Sequence, residues 1–213
     1  MPPHDVYIEG FCGSGAVIRN KRPAVKNFAL DLSKEALDLC QELAGDRTDI
    51  EYITYNACHG FGALFDQAER ALIYFDPPYV MSTRVRKDVY AFEMTDADHE
   101  RLLWQAKSYD CMVMISGYRS TLYDEALADW RRIDYMAQTR GGMKEESLWM
   151  NFPEPTELHD YSFLGDNFRE RERIKKKKKR WQEKLANMDR LERFALMDAI
   201  GQTMKETSCQ SAL

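Results

Sequence analysis

The sequence lacks any C-x-x-C pair. Its five cysteines, Cys12, Cys40, Cys58, Cys111 and Cys209, are odd in number and widely spaced. That pattern argues against a zinc knuckle, a dithiol redox centre and a disulfide framework; reduced thiols in the cytoplasm are expected, and no metal site. No apolar run approaches the ~18 residues of a membrane-spanning helix, and the N-terminus carries no signal-peptide pattern. A membrane partner is therefore not expected. Positive charge is not in excess either: 30 Lys and Arg face 35 Asp and Glu, leaving −5. Nucleic acid would have to be held by local basic patches rather than by the overall field. No internal repeat is visible.

What is present is enough apolar residue for a core, 44% of 213 residues, which suits one α/β domain with an appendage. The densest signal is Ala71-Leu72-Ile73-Tyr74-Phe75 running into Asp76-Pro77-Pro78-Tyr79. Five apolar or aromatic residues read as a buried strand of a parallel sheet. The prolines stop it, because they cannot donate to the ladder. An acid, two proline carbonyls and an aromatic ring then sit at the carboxyl end of a central strand, where open α/β sheets bind ligands. Such a corner suits an exocyclic amino group. The N6 lone pair of adenine is delocalised and weakly nucleophilic. Acceptors at the Asp76 carboxylate and the Pro77 carbonyl would bond its two N–H groups and localise that pair. Tyr79 would stack on the base, worth roughly 1–3 kcal/mol. In a duplex the adenine must first be flipped out, at a cost of a few kcal/mol.

Strands are expected at Val6–Glu9, Asn27–Leu30, Ile50–Tyr55, Ala71–Phe75, Cys111–Ile115, Arg131–Ala137 and Glu146–Phe152, with helices alternating between the first five. Ser33 is placed to cap a helix reaching about Ala44, and Thr95 to Asp98 forms a capping-box pattern opening one that reaches about Lys107. Further helices are expected from Ala63 to Ala71 and from Tyr123 to Asp129. The last two strands lack a helix between them and should pair antiparallel. Pro153 and Pro155 close this domain at about residue 155. From Asn167 to Glu206 one long charged helix is expected, with Ile174, Trp181, Met188 and Ala195 at heptad spacing; it could fold back on the sheet domain or pair with a second chain. Lys175 to Lys179 are consecutive lysines, read as a solvated face or a phosphate contact.

After the first strand comes Gly10-Phe11-Cys12-Gly13-Ser14-Gly15. A glycine turn opening a helix, with Asp31 at the end of the next strand, is a nucleoside-binding arrangement in which the acid bonds ribose hydroxyls. Ile18 stands where a nicotinamide-binding fingerprint needs a small residue. Cys12 reads as turn packing, since no base is placed near it.

These residues resemble the D12 class of DNA N6-adenine methyltransferases, the Dam-like enzymes. Phe11-Cys12-Gly13-Ser14-Gly15 is similar to that family's first S-adenosylmethionine motif, Asp31 to its ribose-binding acid, and Asp76-Pro77-Pro78-Tyr79 to its catalytic motif. Ser116-Gly117-Tyr118, Leu122-Tyr123 and Glu146-x-Leu148-Trp149-Met150-Asn151 resemble its later strands. The likeness spans about residues 3 to 155. Gly10 departs from the family's Pro, and Asn56, Ala57 and Cys58 stand where an acid often meets the cofactor adenine. In the family an N-terminal segment with a cofactor-contacting Lys and a target-recognition insert extend this core. Here only Val80 to Met94 is long enough to help choose a sequence.

The resemblance implies a Rossmann-like, doubly wound, seven-stranded sheet with one antiparallel strand, at residues 1–155; the charged helical pattern adds a helical extension at 156–213. It implies methyl transfer from S-adenosylmethionine to adenine N6 in DNA. Asp76, Pro77, Pro78 and Tyr79 would be catalytic. Glu9, Phe11, Cys12, Gly13, Gly15, Asp31, Leu32, Asn56 and Asp76 would hold the cofactor. Ser116 and Tyr118 would contact nucleic acid; so would Arg84, Arg86 and Lys87, a basic cluster just after the catalytic corner and read from the sequence itself. RNA or a protein amide as substrate, or a binding module without transfer, are the alternatives.

Overall fold

Val6–Gly10 (β1) and Ala71–Phe75 (β4) are buried at every residue, as central strands covered on both faces must be. They pair in parallel, Ile8 opposite Ile73 and Gly10 opposite Phe75. Lys26–Asp31 (β2), Ile50–Thr54 (β3), Met112–Gly117 (β5), Arg131–Thr139 (β6) and Gly142–Met150 (β7) complete one sheet in the order β3-β2-β1-β4-β5-β7-β6. β7 runs antiparallel to both neighbours, and every other pairing is parallel. This is the Rossmann-like, seven-stranded sheet with one antiparallel strand expected from the sequence. The computed structural model describes residues 1–61, 70–81, 92–139 and 142–210, the side chains of 139 and 205–210 excepted. The helix expected from Ala63 to Ala71 falls largely outside them, and Ala71 itself opens β4.

Side-chain alternation divides the core between the two faces. Ile8, Phe28, Ile73, Phe75 and Ile115 pack on one side with Leu102 and Trp149. Tyr7, Ala29, Leu72, Tyr74 and Met114 pack on the other with Ile18, Leu37 and Cys40. The helices that cover these faces are Ala16–Asn20 (α1), Lys34–Ala44 (α2), Asp96–Ser108 (α3) and Thr121–Ala126 (α4). Ser33 caps α2 through the Ala36 amide, and Thr95 with Asp98 forms both bonds of the capping box on α3. α4 starts two residues earlier than expected, because Ser120 accepts from the Tyr123 amide and sets the first turn. β5 runs beyond Ile115, since Ser116 and Gly117 pair with Leu148 and Ser147. β7 likewise starts at Gly142 rather than Glu146, paired with β6 as far as Thr139.

The chain divides into units at Met1–Asp160 and Tyr161–Leu213. The boundary lies past residue 155 because His159 belongs to the first unit. Its ring stacks on His4 at 3.9 Å, and its amide donates to the Met1 carbonyl at 3.0 Å. The second unit holds Phe168–Ala186 (α5) and Arg190–Gln210 (α6) in place of one long helix. Asn187 ends the first, and the Asp189 carboxylate accepts from the Leu191 amide at 2.9 Å to start the second. Short polar side chains that bond nearby backbone favour caps over helix interiors. The heptad spacing is therefore interrupted at Met188. Among the described residues no helix is long and apolar enough to cross a membrane, and no group of side chains could hold a metal ion.

Candidate active site

The carboxyl ends of β1, β2 and β4, with the segment after β3, open onto one cavity of about 470 Å³. Glu9, Phe11, Cys12, Gly13, Asp31, Leu32, Asn56, Asp76, Pro77, Pro78 and Tyr79 all line it. The structure thus gathers the cofactor candidates except Gly15, together with all four catalytic candidates, around a common space.

The glycine turn is shaped by left-handed backbone. Phe11, Gly13 and Gly15 have φ of 59°, 54° and 69°. A Cβ on Gly15 would lie 2.2 Å from Cys40 Sγ, so only glycine fits. A Cβ on Gly10 would lie 2.9 Å from the Phe75 ring, which accounts for glycine at that position. Asp31 ties the turn to the next helix. Its Oδ2 accepts from the Gly13 amide and its Oδ1 from the Ser33 amide, both at 2.8 Å. Each carboxylate oxygen has a second lone pair, so these bonds leave acceptor capacity for a diol. Asn56 caps the single turn Ala57–His59 by accepting from the Cys58 amide at 3.0 Å.

Glu9 is buried below this turn. The Tyr7 hydroxyl donates to its Oε2 at 2.9 Å, and the Ile18 amide also donates to it. Burial, aided by the nearby Asp76 charge, pushes its carboxyl up to about 8. Cys12 is buried with its Sγ 3.7 Å from Cys40 Sγ. That contact and burial push the Cys12 thiol well up, which suits a packing residue and not a nucleophile.

Asp76 lines the same cavity and keeps exposed area, while its Oδ1 is turned to the buried Ser116 hydroxyl. Its exposed area faces the concavity, so the surrounding atoms still desolvate it. Burial therefore raises it above the ordinary carboxylate value, and Glu146 adds to the effect. Ser116 opposes that rise by donating to Asp76 Oδ1 at 2.7 Å. With its one proton so used, Ser116 accepts from the Tyr74 hydroxyl at 2.9 Å. Ser116 is 1% exposed. It supports Asp76 from behind the corner, and does not lie on a surface where nucleic acid could meet it.

Tyr79 is held at both ends. Its hydroxyl donates to Glu146 Oε1 at 2.9 Å, and its ring lies against Tyr118 with centroids 4.0 Å apart. The Tyr135 hydroxyl donates to the second Glu146 oxygen at 3.2 Å, and Lys144 Nζ stands 5.2 Å over the Tyr118 ring. Glu146 and Tyr135 had no role from sequence alone. Their alternation on paired strands could place them on one face, but not beside Tyr79. Arg84, Arg86 and Lys87 lie outside the described residues.

Solved structures of the N-methyltransferase NodS from Bradyrhizobium japonicum WM9 resemble the chain in fold. One has 12% identity and a TM-score of 0.51, covering 72% of this chain and 88% of NodS. The form in complex with S-adenosyl-L-homocysteine has 12% identity and a TM-score of 0.51, covering 71% and 80%. No protein-family model matches the chain, and no curated protein matches it.

Proposed function

We propose that this chain is an S-adenosylmethionine-dependent methyltransferase acting on the N6 amino group of adenine in DNA. One observation carries the reading: the glycine turn with Asp31 and the Asp76-Pro77-Pro78-Tyr79 corner line the same cavity. The cofactor's sulfonium supplies the methyl group. The residues present fit it. A cavity of about 470 Å³ lies within the range of cofactor pockets. Asp31 has acceptor capacity for ribose hydroxyls, and Glu9 and Asp76 offer carboxylates to a cation. The NodS form solved with S-adenosyl-L-homocysteine supports the same choice.

Asp76 and the Pro77 carbonyl accept the two N–H bonds of the target amino group. This localises its lone pair and aims it, and positioning supplies much of the rate. Asp76 need not be a strong base, because the methylated ammonium loses its proton readily afterwards. Tyr79, braced by Glu146 and Tyr118, forms the wall beside the flipped base. RNA or a protein amide would present a similar planar nitrogen. A binding module without transfer has no need of the Ser116–Asp76 bond.

The deciding experiment offers labelled cofactor to DNA, RNA and protein pools, with wild type and Asp76→Ala. Label in DNA adenine, lost in a folded Asp76→Ala protein, is expected. Label in another pool would replace the substrate; no label in any pool would remove the enzymatic reading.

A further inference from the structure

Between Phe168 and Ala186, α5 carries ten Lys and Arg against three Glu, a surplus of seven in a chain whose net charge is −5. These charges are ordered as well as numerous. Arg169, Arg173, Lys176, Lys177, Arg180 and Lys184 recur at spacings of three and four, which puts them on one face of the helix. All are exposed. The stripe runs for roughly 22 Å at the helical rise of about 1.5 Å per residue.

No acid falls within it. Glu172 and Glu183 pair with Lys175 and Lys179, off the stripe, each at 4.0 Å. Glu170 takes one member, Arg173, at 3.3 Å, and Lys184 lies 5.3 Å over the Trp181 ring. Among the described residues, Arg169, Lys176, Lys177 and Arg180 form no ion pair. Like charges four apart, such as Arg169 with Arg173 and Lys176 with Arg180, disfavour the helix. A polyanion laid along the stripe would relieve that repulsion.

We infer that this face of α5 is a docking strip for the sugar–phosphate backbone of nucleic acid, separate from the residues that recognise the target base. The inference rests on the reading that the substrate is a nucleic acid. An anionic membrane fits less well. A helix lying in a bilayer surface needs a broad exposed apolar face. The apolar side of α5 is Ile174, Trp181 and Leu185, and of these only Trp181 is exposed.

The test uses the full chain and a fluorescent duplex of G·C pairs only, so that no adenine can be engaged. One variant replaces Arg169, Lys176, Lys177 and Arg180 by Gln. A second replaces Arg171, Lys175, Lys178 and Lys179, removing equal charge from the other faces. Anisotropy across a salt series should show the log–log slope flattening by roughly 0.9 per lost phosphate contact in the first variant. The second should keep the wild-type slope. Equal flattening in both would reduce the strip to bulk charge and overturn it, as would no flattening in the first. Phosphatidylserine vesicles whose binding is lost in the first variant, while duplex binding stays, would overturn it in favour of a membrane. Calorimetry with S-adenosylmethionine is run alongside, with both variants expected to match wild type. Absence of cofactor binding in wild type would defeat the methyltransferase reading while leaving the salt slopes to judge the strip.

Discussion

Ser116 and Asp76 sit at the ends of neighbouring strands, and the Ser116 hydroxyl donates to Asp76 Oδ1 at 2.7 Å. This bond favours the charged carboxylate, the form that can accept from an amino group. Ser116→Ala removes it, so the Asp76 carboxyl should rise further. Turnover at neutral pH should fall roughly 10- to 100-fold, the scale of one hydrogen bond to a charged group. The acid limb of the pH–rate profile should move to higher pH. A lower rate with an unmoved limb would assign Ser116 to packing alone.

Tyr79→Phe would be nearly silent if only the ring mattered. The structure indicates otherwise, because the lost hydroxyl leaves Glu146 Oε1 without that donor. A cost of about 1–3 kcal/mol in kcat/KM is expected. Tyr79→Phe added to Glu146→Ala should cost little more than Glu146→Ala alone, since both remove the same bond. Full additivity in this cycle would show that the bond does not position the ring.

Glu9 gives the fold a pH dependence of unusual sign. Its carboxyl is pushed up to about 8 from an ordinary value of 4.5, so the fold keeps a proton that the unfolded chain has released. Stability should therefore decline as pH rises through this window, by up to ~1.4 kcal/mol per unit. Glu9→Gln should flatten that slope in denaturation series. A cation bound nearby favours ionised Glu9, so S-adenosylmethionine binding near neutral pH should release a proton. Calorimetric enthalpies should then vary with the ionisation enthalpy of the buffer.

Gly13 and Gly15 should respond differently to alanine, although both have positive φ. A Cβ on Gly13 meets nothing within 4 Å. Gly13→Ala should cost only ~1–2 kcal/mol of backbone strain. Gly15→Ala adds a collision with Cys40 Sγ and should cost ~2–5 kcal/mol. Cys40→Ala should restore part of that loss. Equal melting temperatures for the two single variants would contradict the packing of the turn.

The helical unit exposes Leu191 by 78%, Phe194 by 54%, Met197 by 57% and Ile200 by 56%. We propose that a second copy covers them in a homodimer. Light scattering should give a dimer for the full chain and a monomer after truncation behind Asp160. A cut behind Thr156 would also remove His159 from its stack on His4 and confuse the comparison. A full-length monomer would sink the pairing.

Local chemistry made much of this protein legible in one dimension. Continuous apolar runs, the Ser33 and Thr95 caps and the glycine turn act over a few residues, so strands, helices and the seven-stranded class followed from sequence. Asp76 and Asp31 were legible because each stands at the end of an apolar run, where a parallel sheet opens. The partners of those residues were not. Ser116 is forty positions from Asp76 and Glu146 sixty-seven from Tyr79, and only the order β4-β5-β7-β6 brings them together. The same order turns Ser116 inward under a carboxylate. In the second unit, Asn187 and Asp189 are polar residues that a heptad pattern tolerates. Their bonds to nearby backbone decided that the helix breaks there. Tertiary structure thus supplied the electrostatic setting of each acid, because desolvation and long-range donors depend on what the fold packs around it.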